Sequence, residues 1–284
     1  MAFQHIIYEP GKVARVILNR PRYLNAQSYL MREEMDEAFN QAVTDDQVGV
    51  IVLSGLGDHF SAGHDLGTKE DVEYRLAHGH YTLQAKSDRD RFETFTSMRA
   101  ICLENTLRWR NLPKPTIAMV NGYCIFAGCM FASAMDVIFA TEDALFLPGP
   151  VQYFHAPWDL GPRKSKEVLF EHRFMTASEA CKHGFVNRVF PKESLERETL
   201  SYAERVADNY LHDPFWVRMT KFSINHMQDS MGFTEAIEAA YSSYCTMIGL
   251  TKREIPATNE GGFARTHVAR KNFEASKAWI ESES

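Results

Sequence analysis

The sequence predicts an α/β fold, and two observations carry that prediction. Continuous β-branched runs of the kind buried on both faces of a sheet, VGVIVLSG (48–55) and KPTIAMVNG (114–122), each lead into glycine-bearing turns and then into helical or small-residue patterns. From residue 163 onward helical patterns dominate, so a sheet-based core is followed by a helical tail. At 284 residues the chain exceeds the usual single-domain length, yet an α/β core of this size often forms one unit with an appendage.

Two short strands open the chain, HIIYE and VARVILN, separated by a Pro-Gly turn. LNAQSYLMREEMDEAFNQAVTD (24–45) then carries apolar residues at helical spacing, and 48–55 is the next strand. Residues 67–95 are strongly polar and charged; they read as a mobile excursion that enters a helix over 92–110. KPTIAMVNG is a strand ending in glycine, YCIFAGCMFASAM (123–135) has the small apolar composition of a buried helix, and DVIFAT (136–141) is another strand. Strand, glycine turn, helix and strand thus recur, and ligands of such sheets sit at the carboxyl ends of the strands.

Further on, TASEACKHGF has a Thr/Ser start and a glycine stop, ESLERETLSYAERVADNY is amphipathic, and DPFWVRMTKFSINHM begins with Asp-Pro at the cap and first turn. A last helix is expected over roughly 262–280, after a loop PATNEGG (256–262).

The formal charge of −6 gives no support to a nucleic-acid or membrane-surface partner, which leaves a small molecule. Five scattered cysteines without a CxxC pair indicate neither a disulfide framework nor a zinc site and read as reduced thiols. No basic-then-apolar leader opens the chain and no apolar run approaches the ~18 residues of a bilayer span, so a cytoplasmic location is expected.

Chemistry concentrates first in FSAGHDL (60–66) and NGYCIFAGC (121–129). Small residues in both turns permit close backbone approach, and two N–H groups aimed at one point would form an oxyanion hole, each donor worth about 3 kcal/mol when water is excluded. On these residues alone, two ordinary tight turns with helix caps are the simpler alternative.

Four blocks together, LNRPRYLNAQS (18–28), FSAGHDL, residues 114–146 and MTASEACKHGFVNRVFP (175–191), resemble the enoyl-CoA hydratase/isomerase family, also called the crotonase family. The resemblance runs from about residue 3 to residue 226. It implies a crotonase-like spiral of β-β-α units (1–200) with a helical C-terminal trimerisation segment (201–284), assembled as a homotrimer or a dimer of trimers. It also implies an acyl-CoA thioester as partner, with coenzyme A belonging to the substrate, no separate cofactor and no metal. The oxyanion donors would be the amides of His64 and Ala127, the His64 imidazole facing solvent or pantetheine and Asp65 capping the next segment. Arg22, Tyr23 and Leu24 would line the nucleotide end of CoA, with Ala62 and Leu66 near adenine and pantetheine; Arg22 could pair with a phosphate.

The two glutamates of hydratases are missing: their places hold Met130 and Pro150, and neither can transfer a proton. With Trp158 these two would line the acyl pocket. A replacement lies in VQYFHAPWDLGPR (151–163), where Asp159 falls at a position that several isomerase-like members fill with an aspartate base. A carboxylate beside Trp158 in an apolar pocket would be placed for proton shuttling, and the competing role for Asp159 is a helix cap near Pro162. His155 is the second acid/base candidate, and Tyr153, Phe154 and Trp158 suggest a bulky or cyclic acyl group. His78 and His80 could close over the acyl group; without a third ligand they do not make a metal site. Arg265, Arg270 and Lys271 could reach a neighbouring subunit's CoA phosphates.

Hydration or double-bond isomerisation is the expected reaction. An acyl-CoA hydrolase, a carbon–carbon cleaving enzyme or a non-catalytic acyl-CoA-binding protein are the alternatives.

Overall fold

The structure, a computed structural model, describes residues 3–80, 88–250 and 264–283. Its larger sheet begins with an antiparallel hairpin, β1 (Ile6–Glu9) and β2 (Val13–Leu18), turned at Pro10 and Gly11. β3 (Val50–Gly55), β4 (Thr116–Val120), β6 (Val137–Thr141) and β9 (Arg188–Phe190) add in parallel, giving the order β1-β2-β3-β4-β6-β9. A second sheet, β5-β7-β8, consists of β5 (Tyr123–Ile125), β7 (Leu145–Leu147) and β8 (Met175–Thr176).

The helices, in chain order, are α1 (Tyr29–Thr44), α2 (Lys69–Ala77), α3 (Asp88–Met98), α4 (Asn105–Arg110), α5 (Ala127–Ser133), α6 (Ala156–Asp159) and α7 (Gly161–Glu171). They continue with α8 (Ala177–Lys182), α9 (Leu195–His212), α10 (Pro214–Ser230), α11 (Phe233–Leu250) and α12 (Ala264–Glu283).

β3 shows why its run is apolar throughout. Alternate residues point to opposite faces: Ile51 and Leu53 join the cluster built with Met31, Met35 and Phe39 of α1, while Val50 and Val52 meet Ala203 and Ala207 of α9. Helix starts follow the expected chemistry. Ser28 accepts from the Met31 amide, Thr176 from Glu179 and Asp213 from Trp216, with Pro214 next to the last cap.

Four expectations change. The helix expected over 123–135 starts only at Ala127, because Tyr123–Ile125 pairs with β7 as a strand. The excursion over 67–95 contains α2, capped by Thr68 and tied down where Arg75 pairs with Asp71 and Arg20 with Asp65; its residues 81–87 lie outside the described ones. The helix expected over 92–110 starts at Asp88 and widens into a π-turn over Arg99–Glu104, where the Arg32 side chain takes the Ile101 carbonyl at 3.0 Å. The tail was read without α11, which packs Phe233, Ile237 and Tyr241 onto the core.

Residue 200, the expected division between core and tail, falls inside α9, whose inner face belongs to the sheet packing. α12 begins at Ala264, and the loop over 256–262 lies outside the described residues. Among the described residues no helix is long and apolar enough to cross a membrane.

Candidate active site

The two glycine turns meet beyond the carboxyl ends of β3 and β5. Ser61 and Cys124 form a parallel bridge, with the Ser61 amide on Tyr123 O (2.9 Å) and the Ile125 amide on Ser61 O (3.0 Å). At Gly63, φ is +93°, and a Cβ there would stand 2.8 Å from Ile125 O and 3.4 Å from the Ala127 nitrogen. Any larger residue would push the turns apart, which is why glycine occupies this position. On the facing turn Phe126 takes φ +47°, unusual for an aromatic residue, and so reverses the chain at the head of α5. Among the described residues the amides of His64 and Ala127 donate to no acceptor, so two main-chain donors stand free on adjoining turns.

Beside them lies an apolar cluster of Ala127 and Met130 from α5, Val151, Tyr153 and Trp158 from the following segment, Cys102 and Leu103 from the π-turn, and the α11 face. Met130 is fully buried there. Pro150 is not: it is exposed on the turn after β7, and Val151 and Tyr153 enter the cluster instead. Trp158 packs edge-on to Phe233 with ring centroids 5.2 Å apart, so α11 closes over the segment that carries Asp159.

Asp159 ends the one-turn helix α6 and does not stand as an isolated carboxylate against Trp158. Its Oδ2 accepts from Ser133 Oγ at 2.7 Å and from His155 Nδ1 at 2.6 Å. Among the described residues nothing binds Oδ1, and the side chain keeps 25% exposure. His155 is 1% exposed. Burial alone would lower its pKa, but hydrogen bonding to Asp159 and the nearby Cys129 outweighs burial and raises it to about 9. The bond to Asp159 thus favours the charged form of the ring.

The His64 imidazole is turned inward, not toward solvent: Nε2 donates to Gln152 Oε1 at 2.8 Å. Burial, helped by the charge of Arg32, lowers its pKa to about 3, and the ring stays neutral.

The residues expected at the CoA end lie on the turn before α1 and the turn after β3. Ala62 donates to Leu24 O at 2.9 Å, Leu24 and Leu66 are exposed, and Arg22 lies 5.7 Å from the Tyr23 ring centre. Arg20, two residues earlier, is buried on Asp65, which accepts from the Gly67 and Thr68 amides and so braces the turn ahead of α2, while the cap of α2 itself is Thr68.

His78 and His80 stack with Tyr74, and His80 Nε2 meets Glu33 at 2.8 Å, which ties them to α1. Among the described residues no group of His, Cys, Asp or Glu could hold a metal ion. Arg270 binds the hydroxyl of Tyr123 in its own chain; Arg265 and Lys271 are exposed.

Sequence reasoning missed Ser133, Cys129, Gln152 and α11. Ser133 carried a usable signal: it lies three residues after Met130, on the same helix face.

A sequence profile of the enoyl-CoA hydratase/isomerase family matches residues 9–244. The chain belongs to that family. EchA13 of Mycobacterium tuberculosis, which carries an enoyl-CoA hydratase designation, is 38% identical over 259 residues, 84% of this chain and 79% of its own. A crystal structure titled a probable enoyl-CoA hydratase, from Mycobacterium thermoresistibile, superposes with a TM-score of 0.74 at 38% identity, covering 85% of this chain and 94% of its own. A family member from Xanthobacter autotrophicus Py2, an enoyl-CoA hydratase/isomerase, reaches 0.72 at 26% identity over 99% of both chains. The crotonase fold thus extends through the helical C-terminal segment as well as the core.

Proposed function

We propose that this member of the family is an enzyme that binds an acyl-CoA thioester and stabilises its enolate between the amides of His64 and Ala127, while Asp159 moves a proton. The observation that carries the reading is the asymmetric carboxylate: Oδ2 is tied by Ser133 and His155, and Oδ1 is left free at the edge of the apolar cluster. A base held by one oxygen keeps its direction while its other oxygen works.

In double-bond isomerisation Oδ1 takes a proton from the carbon next to the thioester-activated chain. The negative charge moves onto the thioester oxygen facing the two amides, and the proton returns at a different carbon. Hydration would use the same groups with one water added. Met130 and Pro150 at the usual glutamate positions favour the first reaction, since only one carboxylate is at hand.

The acyl group would lie against Met130, Val151, Tyr153 and Trp158, and CoA would leave past Leu24, Ala62 and Leu66, with Arg22 and Tyr23 toward its nucleotide end. Coenzyme A enters with the substrate and no further cofactor is needed by this chemistry. The exposed Phe215, Trp216, Met219 and Phe222 of α10 suit burial against other copies of the chain, which supports a trimer or paired trimers.

The test is turnover of crotonyl-, 3-enoyl-, dienoyl- and cyclic enoyl-CoA esters, followed by absorbance and product mass, together with exchange of the α-proton in heavy water. Native turnover that Asp159→Asn abolishes is the expected result. Tight ester binding with no turnover and no exchange would leave a binding protein in place of an enzyme.

A further inference from the structure

Five arginines are buried among the described residues, and four of them meet a carboxylate: Arg20 pairs with Asp65, Arg75 with Asp71, Arg110 with Asp229 and Arg173 with Glu179. Arg32 of α1, 1% exposed, is the exception. Its guanidinium gives one N–H to the Ile101 carbonyl in the π-turn and another to Gln27 Oε1 at 2.8 Å, while Nε is buried without a partner. The guanidinium lies over the Phe131 ring, 4.7 Å from its centre. All of these neighbours are neutral. Burial pushes the pKa of Arg32 down, yet a guanidinium stays protonated at neutral pH. A buried charge held only by neutral groups is costly, because it has given up water and gained no opposite charge in return.

The three contacts of Arg32 lead to the walls of the site. Gln27 is paired along its main chain on both sides of His64: its amide donates to Gly63 O at 2.7 Å, and its carbonyl accepts from the Asp65 amide at 2.9 Å. Phe131 lies one turn after Ala127 in α5, and Ile101 precedes Cys102, a member of the apolar cluster beside the amides. The His64 ring feels the charge, since burial and then Arg32 lower its pKa.

We propose, on the reading of the His64 and Ala127 amides as an oxyanion site, that Arg32 is a positioning residue for that site: the guanidinium holds the Gln27 segment against His64, and its uncompensated charge favours the negative charge that the thioester oxygen gains in the enolate. The enolate is the counter-ion that the folded chain leaves out. A preorganised charge in a site closed to water acts on developing charge without having to reorganise. Because the thioester is neutral before the α-proton leaves and anionic afterwards, the charge acts on the transition state far more than on binding.

The experiment is isotope-edited infrared spectroscopy of the protein with hexanoyl-CoA labelled with 13C at the thioester carbonyl, a saturated ester that has no double bond to move. kcat and KM are measured on the best ester from the screen. In the native protein the carbonyl stretch should fall to lower frequency on binding, because the two amides polarise it. Arg32→Met, which keeps an unbranched apolar stem and removes the charge, should lose about half of that fall and reduce kcat between about tenfold and a hundredfold, with KM within a few-fold of native. Arg32→Lys, which restores a charge without the planar fork, should recover most of the carbonyl shift. If Arg32→Met fails to fold, Gln27→Glu is the second variant. It keeps the size of the side chain and places a carboxylate where Arg32 meets an amide oxygen at 2.8 Å, so the carbonyl shift and kcat should both fall in the same way.

A carbonyl shift of native size in Arg32→Met or in Gln27→Glu overturns the proposal, whatever happens to stability. So does an Arg32→Lys that behaves like Arg32→Met, because packing alone would then account for the residue. In both of these cases the native shift leaves the oxyanion reading standing and removes Arg32 alone. No shift in the native protein defeats the oxyanion reading itself, and the role of Arg32 with it. The two failures are thereby distinguished.

Discussion

The amides of His64 and Ala127 and the carboxylate of Asp159 adjoin the same apolar cluster, yet the first pair is made of main chain and the second centre of side chains. The amide pair depends on how close two turns can come, which Gly63 settles by having no Cβ and Phe126 by taking a positive φ. The carboxylate depends on Ser133 and His155 holding one oxygen. A main-chain site survives wide sequence change around it, because every residue has an N–H. A side-chain site is lost or rebuilt residue by residue, and the acid/base group proposed for this chain lies away from Met130 and Pro150.

If the two halves divide the work in this way, their removal should look different. Asp159→Asn should cut turnover by between about a hundredfold and ten-thousandfold, the range for a positioned acid/base group, and leave ester binding within a few-fold of native. An equal loss of binding would mean that Asp159 shapes the pocket instead. Gly63→Ala should also cut kcat, by about a hundredfold, because moving a preorganised donor costs transition-state stabilisation. It should destabilise the fold as well, by about 1–3 kcal/mol, since the new Cβ meets Ile125 O and φ is left-handed. Urea unfolding of the two variants separates them: Asp159→Asn near native, Gly63→Ala clearly weaker.

Each half also contains one histidine, partly buried for His64 and fully buried for His155, and the two are shifted in opposite directions. His155 is raised to about 9 in the folded state, from an ordinary 6.5. The folded state binds the extra proton between those values, so this stabilisation, roughly 3 kcal/mol, is complete below pH 6.5 and is lost as pH rises through 9. His64 is lowered to about 3, so the unfolded state binds the extra proton and its contribution is present above pH 6.5 and lost as pH falls toward 3. Stability should therefore peak near neutral pH. His155→Gln should flatten the alkaline slope only, and His64→Gln the acid slope only; a variant that flattens both, or the wrong one, breaks the assignment.

The sequence disclosed these halves unequally, for the same reason. FSAGHDL and the AGC turn are local: small residues next to strand ends say that backbone must approach something, and the structure brings exactly these turns into contact through Ser61 and Cys124. Strands and capped helices were legible on similar local grounds, from Val50–Gly55 to the Thr176 cap. The side-chain half was legible only as a list of candidates. Asp159 and His155, four apart on one turn, could be named, but their bond to Ser133 spans 26 residues of chain and no periodicity reports it. α11 was overlooked because its inner face, Phe233, Ile237 and Tyr241, matches a surface made by α5 and the residues after β7, which only the fold assembles. β5 reads as helix in the sequence because three residues, Tyr123–Ile125, are too few to show a period of their own; pairing with β7 decides their state.

Ser133→Ala provides the smallest and most selective test of the division. It removes one of two donors to Oδ2 and touches neither amide of the other half. A hydrogen bond to a charged group is worth about 1.5–3 kcal/mol when buried, and the partial exposure of Asp159 brings the expected cost to about 1 kcal/mol. With His155 still in place the carboxylate should keep its position on average but swing more freely. kcat should fall about fivefold, KM should stay, and the stability difference should be the same at pH 6 and pH 8, because Ser133 does not titrate. A loss as large as that of Asp159→Asn would mean that the hydroxyl, rather than Oδ1, exchanges the proton with the acyl group. No loss at all would mean that His155 alone fixes the carboxylate, and that the side-chain half has one support instead of two.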